Sequence, residues 1–397
     1  MIPPGPVFLP KGFKFSAVKA GIKASGKPDL ALILANPKCF AAALFTRNLV
    51  TAAPVEVGRS FLAKTKGRVQ AVIVNSGNAN CATGQAGIRD CKKVCSEIAR
   101  VLELEVAEVF PSSTGIIGVP LPVQKIKPQL KSLISRAGSS LEHLQQFSEA
   151  ILTTDSKPKV ASIPLRSGRV AITGVAKGAG MIHPQLATML VYLMSDVAAN
   201  PAELKTALRK ACDESFNAIS IDGDTSTNDT VLLLASGASG SPYQSLRKEF
   251  DCALQEVCRS LAEQIVADGE GVQRVVRLRI EQARNRAEAL QIARAISHSL
   301  LVKTAWAGAD PNWGRILAAV GRSGVPVDPN TVLISIGKQT VCRQGAACVF
   351  DEKAAHQELS KAECEVGVRL GRGKASLLFL TTDLTQEYVK INADYST

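Results

Sequence analysis

Residues 169 to 197 constrain the fold of this chain more than any others. RVAITGVAKG at 169–178 reads as a strand, and TMLVYLMSDV at 188–197 is a near-continuous apolar run. Apolar residues without polar alternation over that length fit a strand buried on both faces. Between the two lies KGAGMIHPQLATML, 177–190, with Gly178 and Gly180 in the approach, then Pro184, then the pair Ala187-Thr188 opening the apolar run. That layout suits a chain that cuts itself. A Thr hydroxyl can attack the preceding peptide carbonyl, turning an amide into an ester that water releases, and a strained, glycine-flanked turn eases the attack. Cleavage at Ala187-Thr188 leaves Thr188 with a hydroxyl nucleophile and a free α-amine that serves as its own general base.

The rest of the chain alternates strand and helix signals. Residues 1–60 read as short strands and turns, kept extended at the start by Pro3, Pro4, Pro6 and Pro10. AVIVN at 71–75 is a short buried strand. Ile88, Val94, Ile98 and Leu102 recur at helical spacing between Gln85 and about Leu104. Further helices are expected at about 141–152, 201–216, 244–267 and 284–306, with Asn200 as an N-cap before Pro201. From about 325, strands (TVLISIG, ASLLFLTTDL) alternate with one helix near 352–361. There is no linker rich in Pro, Ser or charge and no visible repeat, so the expectation is one compact α/β assembly.

The net charge of +12 raises nucleic-acid binding as a reading. The Lys and Arg residues are scattered, and aromatics are only 5% of the chain, so stacking platforms are missing. A solvated basic surface is expected instead, with a field that attracts carboxylate substrates. The ten cysteines follow no disulfide or zinc spacing, and none of the four histidines joins them in a ligand-like cluster. Buried thiols in a reducing compartment follow. MIPPGPVFLPKGFKFSAV lacks a signal-peptide core, and no apolar stretch reaches membrane-span length, which points to a soluble cytoplasmic protein without membrane contact. Asp222, Asp224 and Asp229 in DGDTSTND lack EF-hand spacing and its terminal Glu, so they are expected to cap turns and helix starts rather than bind metal. NSGNANCATG at 75–84 lacks the lysine of a phosphate loop and reads as a turn-shaping segment. His183 is expected to pack or be solvated.

Several segments resemble, in order, those of the ornithine acetyltransferase (glutamate N-acetyltransferase) family of arginine biosynthesis. They are NSGNANCATG, PSSTGIIG at 111–118, TTDSKPK at 153–159, KGAGMIHPQLATML, DGDTSTNDT at 222–230, ADGEG at 267–271, GADPNWGRI at 308–316 and YVKINADYST at 388–397. The resemblance spans nearly the whole chain. It implies a layered α-β-β-α sandwich with an appended C-terminal α/β lobe at about 280–397. It also implies self-cleavage into an alpha chain, 1–187, and a beta chain, 188–397, in a heterotetramer of two of each. The implied activity moves an acetyl group from N2-acetylornithine to glutamate by a ping-pong mechanism. No cofactor is implied, although some members of that family also take acetyl-CoA as a co-substrate, and no residue here separates the two kinds.

Carried over residue by residue, the resemblance makes Thr188 the nucleophile and Thr114 with Gly115 the oxyanion hole. Chemically, the Ser112–Gly115 segment offers a hydroxyl and a backbone N–H unobstructed by a side chain. Thr154, Lys177, Glu270, Asn392 and Thr397, with Thr188, match substrate-contact positions. A Lys177 cation can bind a carboxylate and, by like-charge repulsion, keep the Thr188 amine neutral. Glu270 suits the ammonium of ornithine. Leu186 and MSDV at 194–197 depart from the usual pattern without touching this chemistry. The alternative enzyme is a related self-processing aminopeptidase or amidase that releases the acyl group to water. The alternative from another class is a non-catalytic binding protein with a basic surface.

Overall fold

The structure, a computed structural model, describes residues 6–183 and 189–394. Ala187-Thr188 and Thr397 lie outside the described residues, so the expected cleavage pair and the last contact residue have no geometry here.

Eight strands form one hydrogen-bonded sheet: β1 (Phe13–Val18), β2 (Leu30–Phe45), β3 (Arg68–Asn78), β4 (Val109–Ile116), β5 (Lys159–Leu165), β6 (Val170–Lys177), β7 (Leu190–Ser195) and β8 (Thr230–Ala235). Its order is β4-β3-β2-β8-β7-β6-β5, with β1 added to β2. β2 joins the two halves. Leu30–Leu34 pairs with β3, and Phe40–Phe45 pairs with β8 after a register shift between Leu34 and Cys39.

Side-chain alternation shows that the halves face each other. Ala31, Ile33, Val72 and Val74 pack in one buried cluster with Tyr192, Met194, Leu232 and Leu234. The helix α5 (Leu141–Ala150) adds Phe147, whose ring meets Tyr192 edge-on at 5.5 Å. The outward residues of the first half, Leu30, Leu32, Ala71 and Ile73, pack under α1 (Ala53–Lys64) and α2 (Gly84–Leu102), with the short helices α3 (Val123–Ile126) and α4 (Leu130–Ser135) beside them. Those of the second half, Val191, Leu193, Val231 and Leu233, pack under α6 (Pro201–Asp213) and α7 (Arg247–Ala267). The layers are therefore α-β-β-α. β7 lies inside, so both of its faces are apolar.

The remaining chain builds a six-stranded sheet from β9 (Val275–Ala283), β10 (Leu333–Ile336), β11 (Gln339–Arg343), β12 (Ala346–Ala347), β13 (Glu363–Arg369) and β14 (Ala375–Thr382). One face is covered by α8 (Arg286–Ser297), α9 (Leu300–Ala307), α10 (Trp313–Gly321) and α11 (Glu352–Leu359) around Trp306. The other face carries cross-strand ion pairs: Arg277–Glu363, Arg279–Glu365 and Arg369–Glu281. The last described element is α12 (Gln386–Asp394).

Three local expectations need correction. Residues 1–60 contain the start of α1 and a 16-residue strand, not only short strands and turns. α1 has Pro at its first turn and no side-chain cap, so the usual start signal is absent. The helix expected at 284–306 is two helices. Asn285 caps α8, and Ser299 caps α9 by accepting from Val302 N, while apolar spacing continues across the break. The C-terminal tail forms α12, which no run of strand or helix signals had marked. The Asn200 cap is present as a reciprocal box with Glu203.

Candidate active site

Thr114 and Gly115 lie in the last residues of β4, which runs parallel to β3 with Ser76 beside Thr114 and Gly77 beside Gly115. Gly115 has φ +132°, and a Cβ there would stand 2.3 Å from the Gly77 carbonyl carbon. Only glycine allows that conformation and that approach. Asn228 ties the turn to the second half of the sandwich, donating to Ala79 O at 2.7 Å and Ser113 O at 2.9 Å. NSGNANCATG thus shapes the wall beside Gly115, with Asn75 accepting from Ser113 Oγ at 2.6 Å.

Lys177 ends β6 and lies opposite Leu190 in the antiparallel pair with β7. Its side chain is 4% exposed, and Nζ is 3.8 Å from Asp155 Oδ2. Burial pushes its ammonium below the ordinary value, with Asp155 opposing. Asp155 is a junction. Oδ1 accepts from Gly178 N at 2.6 Å and from Lys159 Nζ at 2.7 Å, and Oδ2 accepts from Thr153 N at 3.1 Å. Burial alone would raise this carboxyl, but the Lys177 and Lys159 charges hold it well below the usual range. Lys159, itself 0% exposed, also donates to Asp268 Oδ2 at 2.6 Å. Asp268 begins the turn that carries Glu270, whose N–H donates to Ala179 O at 2.9 Å. Glu270 Oε2 accepts from Asn392 Nδ2 at 3.0 Å. α12 therefore brings Asn392 to the acidic group.

Asp222 binds the stretch leading toward the expected cleavage pair, accepting from Met181 N at 2.5 Å and Ile182 N at 2.9 Å. Burial lifts its carboxyl to about 6 against those bonds. On the far side of that pair, Asp229 Oδ1 accepts from Met189 N at 2.9 Å, and burial raises its carboxyl too. These aspartates were expected to cap turns and helix starts. Asp222 does cap a turn, accepting from Asp224 N at 3.2 Å, but Asp222 and Asp229 also hold the backbone on either side of 184–188, and neither caps a helix start. His183 packs against His298, ring centroids 4.9 Å apart.

Thr114, Gly115, Thr154, Lys177, Glu270 and Asn392 all line one cavity of about 210 Å³, with Met181, Asn228 and Tyr388. That is below the roughly 300–1,000 Å³ of drug-sized pockets and suits an amino-acid-sized ligand. Asp155, Lys159, Asp268, Asn228 and Tyr388 were not singled out as site residues. Each lies in or beside a segment named above, but a structural lysine and a substrate lysine look alike in sequence. No helix among the described residues is long and apolar enough to cross a membrane.

A model of the ArgJ family matches residues 14–397. A Geobacter sulfurreducens protein named arginine biosynthesis bifunctional protein ArgJ is 44% identical over 394 residues, covering 98% of this chain and 99% of its own. A Methanopyrus kandleri protein named glutamate N-acetyltransferase is 42% identical, with 98% and 99% covered. A solved structure of arginine biosynthesis bifunctional protein ArgJ from Bacillus halodurans is 39% identical. It covers 51% of this chain and 98% of its own, with a TM-score of 0.49.

Proposed function

This chain belongs to the ArgJ family, and we propose that it cuts itself at Ala187-Thr188 and carries acetyl groups on Thr188 from N2-acetylornithine to glutamate. The observation that carries this is the cavity where Thr114, Gly115, Lys177 and Glu270 meet, with Asp229, next to the lining residue Asn228, holding the Met189 backbone. Thr188 Oγ attacks the acetyl carbonyl and its proton passes to the Thr188 α-amine. The oxyanion is met by the Thr114 hydroxyl and the Gly115 N–H. The tetrahedral adduct then collapses, the α-amine returns the proton to the leaving ornithine amine, and an acetyl ester remains. Glutamate's amine attacks that ester by the reverse sequence. Glu270 with Asn392 faces the ammonium end of the donor, and Lys177 faces a carboxylate. Lys177 also disfavours protonation of the Thr188 amine, keeping it a base near neutral pH. The enzyme works in the cytoplasm as 1–187 and 188–397 chains, two of each, without a cofactor; acetyl-CoA is a further donor to be assayed.

The test is acceptor dependence. With N2-acetylornithine, ornithine release beyond one equivalent should require glutamate. Equal steady-state release without glutamate would make the protein a hydrolase and overturn the proposal. Within this scheme Thr114→Ala should lower kcat by about 10²–10³ with little change in KM, because the oxyanion exists only near the transition state. A variant that changed KM alone would remove Thr114 from that role.

A further inference from the structure

The transfer cavity must take two amino acids of opposite character in turn. N2-acetylornithine ends in an ammonium and glutamate in a second carboxylate. The reacting nitrogen of each is on its α-carbon, so both side chains leave the transfer centre from the same point. Each also carries an α-carboxylate, which Lys177 can take. The far ends are what differ. Among the described residues that line the cavity, Lys177 is the one cation, while Asp222, Asp224 and Glu270 are carboxylates. An ammonium is matched at that end, but a carboxylate there meets like charge.

The acceptor's far carboxylate therefore needs an uncharged donor. Asn392 is spent: Nδ2 donates to Glu270 Oε2 and to Tyr388 O, each at 3.0 Å, which uses both amide hydrogens. Tyr388 is better placed. It lines the cavity one turn before Asn392 on α12, and the turn that carries Glu270 fixes its position. Gly271 has φ +65°, and a Cβ there would stand 2.3 Å from Tyr388 N. Thr385 Oγ1 donates to Gly271 O at 2.6 Å and closes the same contact. The Tyr388 hydroxyl donates to Asp222 Oδ2 at 3.4 Å, long for a bond between two oxygens. Asp222 keeps the N–H groups of Met181, Ile182 and Asp224 when that hydrogen turns away. Burial and the charges of Asp222, Glu270 and Asp224 push the phenol above its ordinary value, so it holds its proton. A neutral hydroxyl donates and accepts at once. With its hydrogen on Asp222, its oxygen can accept from an ammonium; turned into the cavity, the same hydrogen can meet a carboxylate.

We propose that Tyr388 determines acceptor specificity: its hydroxyl donates to the side-chain carboxylate of glutamate and so lets one acidic cavity serve both substrates. This rests on the acetyl-transfer reading and adds to it the residue that reads the acceptor.

The test is calorimetric titration of wild type and Tyr388→Phe with ornithine and, separately, with glutamate, alongside the KM for N2-acetylornithine and for glutamate in the transfer assay. Phenylalanine keeps the ring and removes only the hydroxyl. Glutamate should bind about tenfold or more weakly to the variant, with a matching rise in its KM, whereas ornithine and N2-acetylornithine should move less than about threefold, because Glu270 still faces the ammonium. Glu270→Gln should show the opposite pattern, losing ornithine affinity without losing glutamate affinity. A Tyr388 that merely seated α12 would move both ligands together, since Asn392 is on the same helix. Absent transfer in the wild type would overturn the acetyl-transfer reading and this proposal with it. Normal wild-type transfer, with the two ligands equally weakened in Tyr388→Phe or with glutamate unmoved, would overturn this proposal alone.

Discussion

Thr188→Ala should leave one uncut species of 42.0 kDa, with acetyl transfer reduced by about 10⁴-fold or more. Two losses coincide at this position. Without the hydroxyl the chain cannot attack its own Ala187 carbonyl, and without cleavage the residue's nitrogen stays an amide that cannot accept a proton. The wild type should yield two masses, for residues 1–187 and 188–397, that remain associated because both build one sheet, β7 and β8 of the second piece lying between β2 and β6 of the first. Both halves of the sheet contribute to the inner core, so separating the pieces would expose Ile33 and Val72 along with Leu232 and Leu234. Thr188→Ser keeps the hydroxyl and should still process. Intact-mass measurement and a single-turnover acetyl assay decide the matter. Full transfer activity in the alanine variant, or an active wild type of one mass, would sink the assignment.

Lys159→Met should cost about 3–5 kcal/mol of folding stability at neutral pH. Lys159 sits between Asp155 and Asp268, at 2.7 Å and 2.6 Å, with no exposed side-chain surface. Removing it leaves two buried carboxylates without their shared cation. The Asp155 side chain keeps its bonds from Gly178 N and Thr153 N, but Lys177, at 3.8 Å, is then the cation that faces it. The effect should depend on pH in a defined direction. The depressed Asp155 pKa contributes stability that is present above its unfolded value of about 3.9 and lost as pH falls below it. The gap between wild type and variant should therefore be full above about pH 4 and narrow on acidification. Denaturant unfolding at several pH values measures it. A variant within about 1 kcal/mol of wild type at neutral pH, or a gap that widens in acid, would show that the cluster is not held by these charges. Activity should fall as well, because Asp155 binds the Gly178 N–H and Asp268 leads into Glu270.

The α/β character of the fold was legible in the chain's own pattern, while the four layers followed only from the family resemblance. TMLVYLMSDV demanded cover on both faces, and β7 has it: Val191 and Leu193 pack toward α6 and α7, while Tyr192 and Met194 pack toward the inner core. The Asn200 cap and the helical spacing of Ile88, Val94 and Ile98 likewise became real elements. These signals are local: a strand's period of two, a helix's period of 3.6 and a capping side chain involve residues a few positions apart. Where the local signal was weak or misleading, the reading failed. α1 starts without a cap, and Ser299 divides a helix whose apolar spacing runs on.

The site residues belong to another category. The family resemblance marked Thr114, Lys177 and Glu270, and their chemistry suits an oxyanion, a carboxylate and an ammonium. Only the tertiary structure decides that Asn392 reaches Glu270 across 122 positions, or that Lys159 meets Asp268 across 109. It also decides that Asp222 and Asp229 grip the backbone on either side of 184–188, rather than helix starts. A buried charge is tolerable only where distant partners converge to replace its water, and that convergence is a property of how the layers close, which no short stretch of sequence encodes.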